Sequence, residues 1–119
     1  MAAIFILDDS PVILEVICEV LKTHGHSPKG VSSQSSFLNA LRKSTPALAL
    51  IDVMLKDEDG HEFCIALKTN PQTCNIPVIL ISSNPQLLKH CERCYADDFL
   101  EIPFDYIDLK GKIDALLPQ

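Results

Sequence analysis

The chain has 119 residues, 47% of them hydrophobic and 22% charged, with a formal net charge of −6 at pH 7. That composition is globular, long enough to bury its own core, and its acidic balance disfavours nucleic acid, which needs a basic face against the phosphates. No apolar run reaches membrane-spanning length, and Met1-Ala2-Ala3-Ile4 lacks the basic region of a signal peptide, so a soluble cytoplasmic protein without membrane contact is expected.

Residues 3–7, Ala3-Ile4-Phe5-Ile6-Leu7, read as a buried strand closed by Asp8 and Asp9. Ser10 caps a helix with Pro11 in its first position, and Gly25 ends it after Lys22 and His24. Val12, Ile13, Val16, Ile17, Val20 and Leu21 recur at helical spacing, which assigns them to the face against the sheet. A weak strand at 26–31 contains Pro28 and Gly30, which suit a sheet edge. Residues 33–43 give a second helix with Phe37, Leu38 and Leu41 inward, broken by Pro46. The next strand, 47–51, is closed by Asp52, and a loop runs from Asp52 to Gly60. A helix over about 61–69 leads to a strand at 77–81 that ends at Ser82-Ser83. A fourth helix is predicted over 85–94, then a strand at 99–102 ending before Pro103. The last helix, 105–117, turns Ile107, Ile113, Leu116 and Leu117 inward, with Gly111 weakening its middle.

Five β-α units with short connections imply a single domain over 1–119. The expected fold is a three-layer α/β sandwich around a five-stranded parallel sheet, in the flavodoxin-like order 2-1-3-4-5. The first, third and fourth strands are the most hydrophobic and belong at its centre. Ligands of such sheets sit at the carboxyl ends of the strands where the order reverses, and Asp8, Asp9 and Asp52 gather there. Two carboxylates about 4 Å apart repel by about 4 kcal/mol at an effective dielectric near 20. A hard divalent cation with oxygen ligands is the natural compensation. The five cysteines are scattered, and only Cys91 and Cys94 are closely spaced. With His90 adjacent but no fourth ligand in reach, they read as reduced thiols rather than a zinc or redox pair.

The acidic pair after the first strand, Asp52 after the third, Ser82 after the fourth, and Phe99 with Ile102-Pro103-Phe104 at the fifth form an ordered set. Over nearly the whole chain this set resembles a response-regulator receiver domain, and residues 51–60 resemble that family's phosphoacceptor loop, with Gly60 at its turn. The resemblance implies that Asp52 accepts a phosphoryl group from a histidine kinase or phosphotransfer protein. It implies a magnesium ion ligated by Asp9, Asp52 and the Met54 backbone carbonyl, with Asp8 acting through water. Ser82 aligns with the family's switch hydroxyl, and Phe99 with its switch aromatic, although a phenylalanine there also reads as packing. The implied role is a stand-alone relay in a two-component system, not an enzyme beyond its own phosphorylation and dephosphorylation. It would signal through a protein partner docked on the face of helix 4, strand 5 and helix 5, and a homodimer is among the expected assemblies.

Ile102 stands where the family places a lysine, and Lys56 where it usually has a proline. Ile102-Pro103 resembles the family's cis bond, a geometry that proline tolerates cheaply. A hydrogen bond to a charged group contributes about 1.5–3 kcal/mol, and coupling between two sites is typically about 1–3 kcal/mol. Losing the lysine can therefore remove most of the switch energy while leaving phosphoryl transfer intact. The competing reading is a pseudo-receiver, an interaction module that no longer uses phosphate. A magnesium phosphatase is discounted because its two acids stand as Asp-x-Asp, and a flavin site because no phosphate-cradling loop follows the first strand.

Overall fold

Strands that are aliphatic on both faces must be covered on both sides, and the chain supplies a helix after each one. In the computed structural model, which describes residues 2–89 and 91–117, the elements run β1 (Ala3–Leu7), α1 (Pro11–Thr23), β2 (Ser27–Val31), α2 (Gln34–Lys43) and β3 (Leu48–Asp52). Two short strands follow, β4 (Met54–Leu55) and β5 (Glu58–Asp59), then α3 (Gly60–Thr69), β6 (Val78–Ser82), α4 (Pro85–Leu88) and a 3₁₀ turn (Cys91–Cys94). β7 (Asp98–Glu101) and α5 (Tyr106–Leu116) complete the chain.

The five long strands form one parallel sheet in the order β2-β1-β3-β6-β7. Counting only its own strands, that is the expected 2-1-3-4-5. Pro28 and Gly30 lie in β2 at one edge, where a missing ladder donor costs least. The sheet divides the core. Phe5, Leu7, Phe37, Phe63, Leu80 and Leu88 lie on the side covered by α2, α3 and α4. Ile6, Ile17, Leu21, Leu50, Ile81 and Ile113 lie on the side covered by α1 and α5. Each helix begins at a side-chain cap, which satisfies one of its orphan N–H groups: Ser10, Ser33, Asp59, Asn84 and Asp105 in turn. No helix among the described residues is long and apolar enough to cross a membrane.

Several expectations are corrected. The fourth helix is not a continuous run over 85–94. It is a single turn followed by the 3₁₀ segment, and His90 within that span lies outside the described residues. Leu88 and Cys94 are both buried on the α3 side, yet in one α-helix six residues turn them about 120° apart. Breaking the helix brings both inward. Residues 54–59, read as loop, pair as an antiparallel hairpin with Lys56 and Asp57 at its tip, and Asp57 takes a positive φ of 62°. On α1 only the Ile17 and Leu21 side is fully buried; Val12 is 67% exposed and Val16 is also exposed. Leu38 and Ile107 likewise face outward, while Ala40 and Leu109 take the buried positions. Helix α2 ends at Lys43, before Pro46 is reached.

Candidate functional site

The carboxyl ends of β1 and β3 are neighbours in the sheet, so the acids that close them meet. Ligand oxygens of Asp8, Asp9 and Asp52 lie within 4.8 Å of one another. Asp8 is 1% exposed and its Oδ1 accepts the Ser10 N–H at 2.8 Å. Asp9 is exposed and its Oδ2 accepts the Lys56 N–H at 2.6 Å. Asp52, the last residue of β3, accepts the Met54 N–H on Oδ1 at 2.9 Å. Three main-chain amides thus serve three carboxylates. Each is a charge-assisted bond, but none brings a full positive charge.

Among the described residues no ion pair reaches any of the three acids. Burial pushes the Asp52 carboxyl up to about 7, with the nearby Asp8 charge and its hydrogen bond adding to the rise. Burial also raises Asp8 from its ordinary value. Without a cation, burial and the Asp8 charge both disfavour the ionised form of Asp52. This donor set consists only of hard oxygens, carries excess negative charge and lacks a cationic side chain. It fits a hard divalent ion such as magnesium, which needs one or two carboxylates and keeps several waters.

The remaining predicted residues fall around this cluster. Asp52 pairs beside Ile81, so Ser82 ends the adjacent strand one residue farther on. Ser82 is 1% exposed; its Oγ accepts the Asn84 N–H at 3.0 Å, and its carbonyl accepts the Ile102 N–H at 2.8 Å. Asn84, not Ser82, caps α4. The Met54 backbone lies beside Asp52 through its N–H, at the start of the hairpin. Phe99 is 45% exposed, so packing in the core does not explain it; the Lys112 ammonium stands 5.5 Å from its ring centroid. The Ile102-Pro103 bond is cis, and Ile102 is half-buried against the α1/α5 side of the core. Lys56 contributes its main-chain N–H rather than its ammonium, which makes no ion pair with described residues.

Two features of the site were not read from the sequence. Gly60, noted only as a turn, packs against the main chain of Asp52 and Val53, where no Cβ fits, and its N–H bonds Val53 O at 3.2 Å. His61 spans from α3 to α4: its Nε2 lies 3.0 Å from the Leu87 carbonyl. Nothing local in sequence signals a partner 26 residues away. Cys64 bonds the Cys94 carbonyl at 3.3 Å, and burial pushes its thiol up to about 12, as in an unreactive structural cysteine. The Cys91–His90 reading falls on His90 and on the Cys91 side chain, which lie outside the described residues.

Residues 4–114 match the family model described as the response regulator receiver domain. The transcriptional regulatory protein GltR of Pseudomonas aeruginosa is 31% identical over 120 residues, covering 97% of this chain and 48% of that protein. The phosphate regulon transcriptional regulatory protein PhoB of Escherichia coli is 29% identical, covering 96% of this chain and 51% of that protein. The chain therefore spans about half the length of the curated relatives it matches. Among solved structures, the signal receiver domain of a signal transduction histidine kinase from Syntrophus aciditrophicus is 30% identical with a TM-score of 0.89, covering 98% of this chain and 90% of that one.

Proposed function

The chain belongs to the response regulator receiver domain family of two-component signalling, and from that premise we propose that Asp52 accepts a phosphoryl group from a histidine kinase or phosphotransfer protein. The observation that carries this reading is the convergence of Asp8, Asp9 and Asp52 without a cationic side chain among the described residues. Asp8, Asp9 and Asp52 would hold a magnesium ion, together with the Met54 carbonyl. When bound, it supplies the positive charge that neutralises the phosphoryl oxygens.

The chain's own residues perform the positioning. The Met54 N–H engages Oδ1 of Asp52 and leaves the second oxygen to attack phosphorus. As that O–P bond forms, the P–N bond of the phosphohistidine breaks and the imidazole leaves with the electron pair. Only ionised Asp52 is a nucleophile, so the protonated form that burial favours must lose its proton first. Ser82 accepts from Asn84 and keeps its own hydroxyl proton available to a phosphoryl oxygen. A protein partner would read the result on the α4–β7–α5 face, where Phe99 is exposed.

The test is intact-mass measurement after incubation with acetyl phosphate or phosphoramidate and magnesium. One added phosphoryl group is expected, absent in Asp52→Asn. If several donors leave the mass unchanged, the second reading takes over: a pseudo-receiver that binds its partner regardless of phosphate. Ile102, which puts an apolar side chain where the family has an ammonium, is the observation that favours that alternative.

A further inference from the structure

We propose that His61 is a positioning residue, a strut through which a change at Asp52 reaches α4. The inference rests on the acidic pocket being the input site, as proposed above. Its geometry is a continuous chain of contacts. Asp52 Oδ1 accepts the Met54 N–H at 2.9 Å. Met54 pairs across the hairpin with Asp59. Asp59 Oδ1 accepts the His61 N–H at 2.8 Å and lies 3.8 Å from His61 Nδ1. His61 Nε2 lies 3.0 Å from the carbonyl of Leu87, inside the single turn of α4.

A carbonyl only accepts, so Nε2 carries the proton in this bond. The strut is short and stiff at its base. Gly60 lies so close to the Asp52 carbonyl that β3 and the start of α3 cannot shift independently. At its far end α4 is one turn long, held by Leu87 and Leu88 against the core and by this one side-chain bond from α3. A second hydrogen-bonded route to α4 runs from Ile102 N–H to Ser82 O and from Asn84 N–H to Ser82 Oγ. With an isoleucine at position 102, that second route offers no charged side chain to answer a change at Asp52. The His61 route starts on the Asp52 carboxylate itself.

The experiment records amide NMR shifts of residues 84–89 in the full chain. The perturbations are Asp52→Asn and, separately, magnesium with beryllofluoride. Each is measured with His61 intact, as His61→Phe, and as His61→Gln. A glutamine amide reaches about where Nε2 does and restores a donor, while phenylalanine keeps the ring and removes it. The strut predicts that Asp52→Asn moves the α4 amides, that His61→Phe abolishes the response, and that His61→Gln restores it. An undiminished response in His61→Phe, or no α4 response to Asp52→Asn with His61 intact, overturns it. In the chain with native His61 the Nε2–H resonance gives a second reading that needs no substitution at that position. It moves on Asp52→Asn if the strut carries the change, and a stationary resonance refutes it. If beryllofluoride leaves the spectrum unaltered while Asp52→Asn moves α4 through His61, the strut stands and the phosphoacceptor reading falls.

Discussion

Gly60 packs its Cα directly against the main-chain carbonyl of Asp52: a Cβ built there would overlap that oxygen and lie 2.7 Å from Val53 Cα. Both neighbours are backbone at the end of a central strand and cannot rotate away. Gly60→Ala should therefore cost about 1–3 kcal/mol of stability, the usual range for overpacking. It should also spread the three acids, so that magnesium raises the melting temperature less than in the native chain. Urea titration and magnesium-dependent thermal melts check the two parts. A variant as stable as the native chain would show that β3 yields more easily than this packing allows.

The metal-free chain should lose stability as pH rises from about 4 to about 7. Asp52 titrates near 7 when folded and near 3.8 when unfolded, so in that window the folded state holds a proton the unfolded state has released. The loss is bounded at about 4 kcal/mol and should be smaller, because solvent reaches part of Asp52. His26 acts in the opposite sense: burial lowers its pKa from 6.5, so its contribution is present above 6.5 and lost as pH falls through the lowered folded value. Subtracting the Asp52→Asn curve from the native one cancels the His26 slope. A flat difference curve would mean that Asp52 ionises freely.

Ile102→Lys should reverse part of that slope. A nearby ammonium favours ionised Asp52 and lowers its pKa, and a hydrogen bond to a charged group contributes about 1.5–3 kcal/mol. The lysine stem can keep much of the packing that half-buried Ile102 makes against the α1/α5 core. The expected outcome is a shallower stability loss between pH 4 and 7. Phosphoryl donors should also produce a larger amide response on β7 and α5. An unchanged pH profile would place the new ammonium out of reach of Asp52.

Asp97 and Lys68 allow a prediction away from the site. Asp97 Oδ2 accepts both the Lys68 ammonium at 2.9 Å and the Val78 N–H at 2.8 Å. Lys68→Met removes one charged partner and keeps the stem, at a cost of about 1–2 kcal/mol. Asp97→Ala leaves the Val78 N–H without its acceptor and the Lys68 ammonium with only the Ile76 carbonyl, at a cost of about 2–4 kcal/mol. Denaturant titration should rank the two in that order.

Much of this molecule was legible because parallel strands covered on both faces leave uninterrupted aliphatic runs. β1, β3 and β6 were found to within a residue at their ends, and the strand order followed from their relative hydrophobicity. The acids Asp8, Asp9 and Asp52 were legible because strand ends in such a sheet have a fixed address. Breakdowns came where tertiary contact outweighs local pattern. Val12 and Val16 fit the helical period, yet the fold leaves both exposed while Ile17 and Leu21 are buried. Residues 54–59 pair only because Asp57 accepts a left-handed conformation at the hairpin tip, a choice that composition does not announce. The split of the fourth helix depends on where α3 lies, and the partner of His61 on where that split puts Leu87.

The partition of the core by the sheet separates the side-chain packing of its two control points. Ile102 leans on the α1/α5 half, whereas the α3 and α4 turns joined by His61 pack on the opposite half. Groups with no shared neighbours usually contribute additively to within about 0.5 kcal/mol. The two positions pack separately but meet through Ser82, which accepts both the Ile102 N–H and the Asn84 N–H at the start of α4, so the departure of a double variant from additivity measures that link.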